Sequence, residues 1–129
     1  MVTISLWKDK ENRKLEPTLF SETAEKLAEK IGAEGNNVNK STQLRRYYDE
    51  VVRLTTQAKA STANMDLILP QVHMLVAKVA YAKGRNLVTD SFVQMMKSGI
   101  SQVENKEDLQ VFANFLESFM GFYKMYRPR

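Results

Sequence analysis

The chain has no cysteine and a single histidine, His73. The first absence excludes a disulfide framework, a thiolate zinc site, an iron–sulfur cluster and a cysteine nucleophile; the second argues against a multi-histidine metal centre. Long apolar runs are missing too. No stretch approaches the roughly 18 residues that a membrane span requires, and residues 1–14 alternate charges without the apolar centre of a signal peptide. The expectation is a cytoplasmic protein with no membrane partner and no cofactor. Neither the Gly-x-Gly-x-x-Gly nor the Gly-x-x-x-x-Gly-Lys phosphate loop occurs, nor the Gly-x-Ser-x-Gly nucleophile elbow.

Carboxylates do not converge either. Asp49 and Glu50 are adjacent and point about 100° apart on a helix. Glu22, Glu25 and Glu29 share a helix side, but Lys26 and Lys30 are interleaved with them, which marks a solvated face. Glu104, Glu107 and Asp108 surround a helix start, where capping and the helix dipole favour acids. His73 sits among Val72, Met74 and Leu75 with no carboxylate within four residues. It reads as a structural histidine, and a small ribonuclease built on it is disfavoured.

What is present points to one folded unit. A length of 129 residues, 43% hydrophobic and 26% charged, suits a single domain and not a disordered chain. Apolar residues recur at three and four positions and not at two, so the fold class is all-α, a bundle of about five helices with no sheet. Residues 1–17 form an arm whose one available anchor is Trp7, and residues 18–129 form a single helical-bundle domain. The first helix is expected from 18 or 21 to 31, terminated by Gly32, and the second from 41 to 59, with candidate N-caps between Asn39 and Thr42. The third is expected from 66 or 67 to 83, with Pro70 tolerable only near its first turn and Gly84 as a left-handed cap. It is apolar almost all round, which predicts the central helix. A fourth, from 89 or 90 to 103, is weakened by Gly99 at about 1 kcal/mol relative to alanine. The fifth, from 105 to 126, opens with Asn105-x-x-Asp108, a loose capping box. Val111, Phe115, Phe122 and Met125 lie off its main stripe, so it either sits deep or offers a partner a second apolar surface.

The surplus of positive charge is localised. Residues 1–39 carry 6 basic and 7 acidic side chains, residues 40–85 carry 8 and 3, and residues 86–129 carry 5 and 5. On the second helix, with Arg45 set at zero, Thr42, Arg53 and Arg46 fall at about 60°, 80° and 100°, while Leu44, Tyr47, Val51, Thr55 and Ala58 cluster between about 200° and 280°. The arginines therefore face away from the core. Arg46 and Arg53 stand two turns apart, about 10.5 Å, a spacing that matches successive phosphates. Lys40 and Thr42 add a cation and a hydroxyl at the helix start. Lys78 and Arg85 repeat the seven-residue spacing on the third helix, so antiparallel packing would run one basic surface across both. The same charges also suit a merely solubilising face.

The run Asn39-Lys40-Ser41-Thr42-Gln43-Leu44-Arg45-Arg46-Tyr47-Tyr48, then Val79-Ala80-Tyr81-Ala82-Lys83-Gly84-Arg85, then Phe119-Met120-Gly121-Phe122-Tyr123-Lys124-Met125-Tyr126, resembles the small-subunit family of type III-A CRISPR (Csm) effector complexes. The resemblance covers roughly residues 20–126. It implies a non-catalytic helical protein in antiviral defence that stacks in a filament beside the other subunits of the complex. Its RNA partners would be the crRNA and the target RNA, with a part in monitoring their complementarity. Carried over, the matching motifs place Arg45, Arg46 and Arg85 toward RNA, and the helical faces add Lys40, Thr42, Arg53 and Lys78; Tyr81 and Tyr123 are expected to pack in the core. Contact with the backbone is what a guide complex requires, because base pairing supplies the sequence information. The competing expectation is a protein–protein adaptor that docks through Phe115, Phe122 and Met125 without touching RNA.

Overall fold

Five amphipathic segments become helices close to where their periodicity predicts: α1 (Ala24–Gly32), α2 (Ser41–Ala58), α3 (Met65–Gly84), α4 (Asp90–Ile100) and α5 (Lys106–Tyr126), in a computed structural model that describes residues 1–128. A π-helical turn, Leu19–Thr23, runs straight into α1. The arm departs from the expectation of no sheet. Trp7–Asp9 pairs antiparallel with Lys14–Leu15, a ribbon too short to leave an alternating pattern in the sequence.

The central helix is α5, not α3. Along α5, Leu109, Phe112, Leu116, Phe119 and Tyr123 are buried on one side and Val111, Ala113 and Phe115 beside them, because α1, α2 and the π-turn pack around it. Phe115 is thus removed from any docking surface, while Met125 stays exposed. Helix α3 lies at the edge, against α2 and α4. It buries only Ile68, Val72, Leu75, Val79 and Ala82, a strict alternation of four- and three-residue steps. Leu67, Met74 and Tyr81 face outward, 66%, 57% and 68% exposed. High mean hydropathy on α3 therefore reflects two apolar stripes, of which the fold covers one.

Helix ends follow local chemistry, with corrections. Asn105 Oδ1 accepts the N–H of Asp108 at 2.8 Å, as the capping box requires, and Asp108 Oδ2 accepts the N–H of Glu104. Gly84 is still helical. The left-handed residue is Asn86 (φ +61°), and the Leu87 N–H closes the end by donating to the Ala82 carbonyl at 2.9 Å. Pro70 lies in the second turn of α3, where its missing N–H leaves the Asp66 carbonyl without its helical donor. Gly99 has a packing reason: a Cβ there would overlap the Phe112 ring and stand 3.1 Å from Ile4.

The arm is held by a ladder that periodicity does not show. Gln94, Ser98 and Gln102 step along one side of α4 and its end, and they accept the N–H groups of Val2 (2.7 Å), Ile4 (2.9 Å) and Leu6 (2.9 Å). Four helical residues rise about 6 Å and two extended residues about 6.7 Å, so the two repeats nearly match. Ile4 and Leu6 are buried in the core as a result. Trp7 is the expected anchor, its indole N–H donating to Asp108 Oδ1 at 2.8 Å.

Candidate nucleic-acid interface

Helices α2 and α3 run antiparallel, as their cross-links show. Arg53 Nη2 donates to Gln71 Oε1 at 3.4 Å, Glu50 lies 3.7 Å from Lys78, and the Asn39 N–H donates to the Leu87 carbonyl at 2.9 Å. The first half of α2 therefore faces the last turns of α3. Between them lies a groove of about 460 Å³ lined by Gln43, Arg46, Lys78, Tyr81 and Arg85, with buried Tyr47 and Ala82 beneath.

Cations in this groove differ in how far they are neutralised. Arg46 and Arg85 are exposed, and neither has a carboxylate partner among the described residues. Lys78 and Arg53 share one carboxylate, Glu50. The Arg53 hydrogen bond, helped by Lys78 and opposed by partial burial, holds the Glu50 carboxyl below its usual range, and the same bond raises the Arg53 guanidinium. This triad carries one net positive charge, so the groove's strongest unpaired charges are Arg46 and Arg85.

The sequence-predicted residues thus divide. Arg46, Lys78 and Arg85 come together, with Arg53 next along α2 through Glu50. Thr42 and Arg45 do not join them. They line a second groove, between the start of α2 and the end of α5, with Tyr48, Glu117 and Lys124, and Arg45 lies 3.9 Å from Asp49. The roughly 100° between consecutive helical residues is enough to send Arg45 and Arg46 into different grooves. Lys40 is exposed at the N-cap of α2 and lines neither, and it makes no side-chain cap.

Asn39 does something else. Fully buried at φ +54°, it donates through Nδ2 to the Ile31 carbonyl (3.1 Å) and Thr89 Oγ1 (2.9 Å), and its Oδ1 accepts the Thr89 N–H (2.9 Å). Its own carbonyl accepts the Tyr123 hydroxyl at 2.6 Å. The start of α2 is fastened to α1, α4 and α5 by this one residue. Tyr123 therefore packs as expected, and burial pushes its phenol up to about 12.

Tyr81 does not pack. It stands exposed in the α2–α3 groove with the Arg85 guanidinium over its ring, 5.9 Å from the centroid. Sequence periodicity missed it because Tyr81 falls on the uncovered stripe of α3. His73 is on the outer side of the same helix, its Nε2 3.2 Å from the Val103 carbonyl, a structural contact. Among the described residues, no group of three acidic or histidine side chains is placed to hold a metal ion, and no helix is long and apolar enough to cross a membrane.

A sequence model described as Csm2 Type III-A matches residues 14–129. No curated protein and no solved structure matches the chain.

Proposed function

The chain belongs to the Csm2 Type III-A family, which supplies the small subunit of the type III-A CRISPR complex, and from that premise we propose that it binds RNA through the phosphate backbone along the α2–α3 groove without catalysing a reaction. The observation that carries this reading is the convergence of Arg46 and Arg85, both without a carboxylate partner among the described residues, with Lys78 on antiparallel helices. Guanidinium groups on a shallow, open groove suit phosphate oxygens, which repeat along any strand and carry no base identity. The RNA partners are crRNA and target RNA. Copies of the subunit stack beside the other subunits in the cytoplasm, and contact with the guide–target pair allows a part in monitoring complementarity.

Arg45 and Thr42, on the far side of α2, would then serve the neighbouring subunit or a second strand. Binding of unrelated RNA sequences to the Arg46→Ala, Arg85→Ala double variant tests the assignment. Affinity should fall uniformly across sequences, and the slope of log K against log salt should shallow by about 0.7 to 0.9 for each phosphate that the variant no longer neutralises. An unchanged slope in a variant that keeps its helicity overturns the groove as the RNA surface.

A further inference from the structure

Tyr81 is out of keeping with a surface that holds phosphates alone. It is the last of three outward residues spaced by seven, Leu67, Met74 and Tyr81, which repeat at nearly one azimuth over about 21 Å of α3. Of the three, only Tyr81 lies in the groove with Arg46, Lys78 and Arg85. The Arg85 guanidinium stands 5.9 Å from the ring centroid on one side, and the residue is 68% exposed, so much of the ring is open to solvent. Its hydroxyl has no hydrogen-bond partner among the described residues. Tyr123 shows what a packed tyrosine of this chain looks like, ring buried and hydroxyl donated to Asn39.

We propose that the Tyr81 ring, backed by the Arg85 guanidinium, is a stacking platform for the base of an unpaired nucleotide whose flanking phosphates are held by Arg46 and Lys78. This rests on the reading of the groove as an RNA surface and names its ligand class: RNA with an unpaired base, whether a single strand or an unpaired position in the guide–target pair, in preference to a fully paired duplex. Bases within a duplex are stacked on each other and present no free face, whereas an unpaired base can be laid on an aromatic ring. A guanidinium on the far side of the ring adds cation–π attraction and leaves the near face free. Stacking is also tolerant of sequence, since every base has a π face, so this contact does not restrict which guide is carried. Leu67 and Met74 do not line the groove, which is why the proposal is confined to Tyr81.

The test compares a short RNA carrying 2-aminopurine at a central position with the same strand annealed to its complement, each titrated with full-length protein. Wild type should bind the single strand more tightly and change the 2-aminopurine emission. Tyr81→Leu should lose about fivefold or more of single-strand affinity and abolish the emission change, leaving duplex affinity and the salt slope as in wild type. Tyr81→Phe should retain both, because the ring and not the hydroxyl makes the contact. Equal single-strand affinity in Tyr81→Leu, or an equal loss on duplex, overturns the platform while the phosphate groove stands. Wild type binding neither RNA overturns the groove reading as well. If Tyr81→Leu instead abolishes self-association in sedimentation and leaves RNA affinity intact, the ring belongs to a protein interface and the proposal falls.

Discussion

Among the described residues Glu50 is the one acid paired with a cation of the groove, and removing its charge should strengthen RNA binding. Its carboxylate holds both Arg53 and Lys78, so Glu50→Gln frees these cations and raises the local charge by one. Gln keeps the shape and can still accept a hydrogen bond from Arg53, whose Nη2 bond to Gln71 then still joins α2 to α3. If the positive charge so gained neutralises one more phosphate, the salt slope steepens by about 0.7 to 0.9, and at about 0.15 M salt affinity rises about four- to fivefold. Glu50 is a quarter exposed and its partners about half, so solvent screens the broken ion pairs and their loss should change stability little. Fluorescence anisotropy of labelled RNA across a salt series, alongside thermal melts, reads both effects. A pH series gives an independent check. Because the folded-state pKa of Glu50 is lowered, its contribution to stability is present above its unfolded value and lost as pH falls through the folded one; the variant should lack that part of the acid destabilisation. Weaker or unchanged RNA binding in a folded Glu50→Gln protein would refute the view that unpaired cations in this groove govern affinity.

Gly99→Ala should lower the melting temperature. The added Cβ overlaps the buried Phe112 ring, and overpacking of about 1–3 kcal/mol outweighs a helix-propensity gain of about 1 kcal/mol; a melt at or above wild type would show that the ring can move aside. Tyr123→Phe leaves the buried Asn39 carbonyl without its donor, a loss of about 1–3 kcal/mol in denaturant unfolding. In wild type, the same phenol is pushed up to about 12 by burial, so stability should decline as pH rises from its ordinary value near 10 toward 12, where the unfolded chain releases the proton first; alkaline unfolding followed by circular dichroism should show this decline flattened in the Phe variant. Lys10→Ala removes the ion pair that joins the arm to Glu104 and the buried Asp108, and the sole tryptophan, Trp7, should report the loosened arm through a fluorescence shift with the bundle's helicity unchanged; an unshifted spectrum counts against the anchor.

Much of this protein was legible in the sequence because helices are written locally. Spacing of three and four identifies each helix, Asn105 and Asp108 mark the start of α5, and the charge excess between residues 40 and 85 locates the basic region. The outward direction of Arg46 and Arg53 follows from a helical angle alone. What periodicity could not supply was which apolar stripe would be covered. Helix α3 carries two, and only the placement of α2 and α4 decides that Val72 and Leu75 are core while Met74 and Tyr81 face water. The same is true of α5, whose extra apolar residues were compatible with a docking face until packing put Phe115 inside.

Contacts between residues distant in the chain lay beyond any local pattern: the Gln94–Ser98–Gln102 ladder on the arm, the five hydrogen bonds that gather at Asn39, and the sharing of Glu50 by two helices. By itself, then, the sequence determined the fold class, the helix limits within a few residues, and the position of a basic stretch, since each depends on neighbours within a turn or two. Tertiary packing decided which of those charges share a groove and which are neutralised there, because a side chain's partners across an interface depend on the azimuth and direction of a second helix.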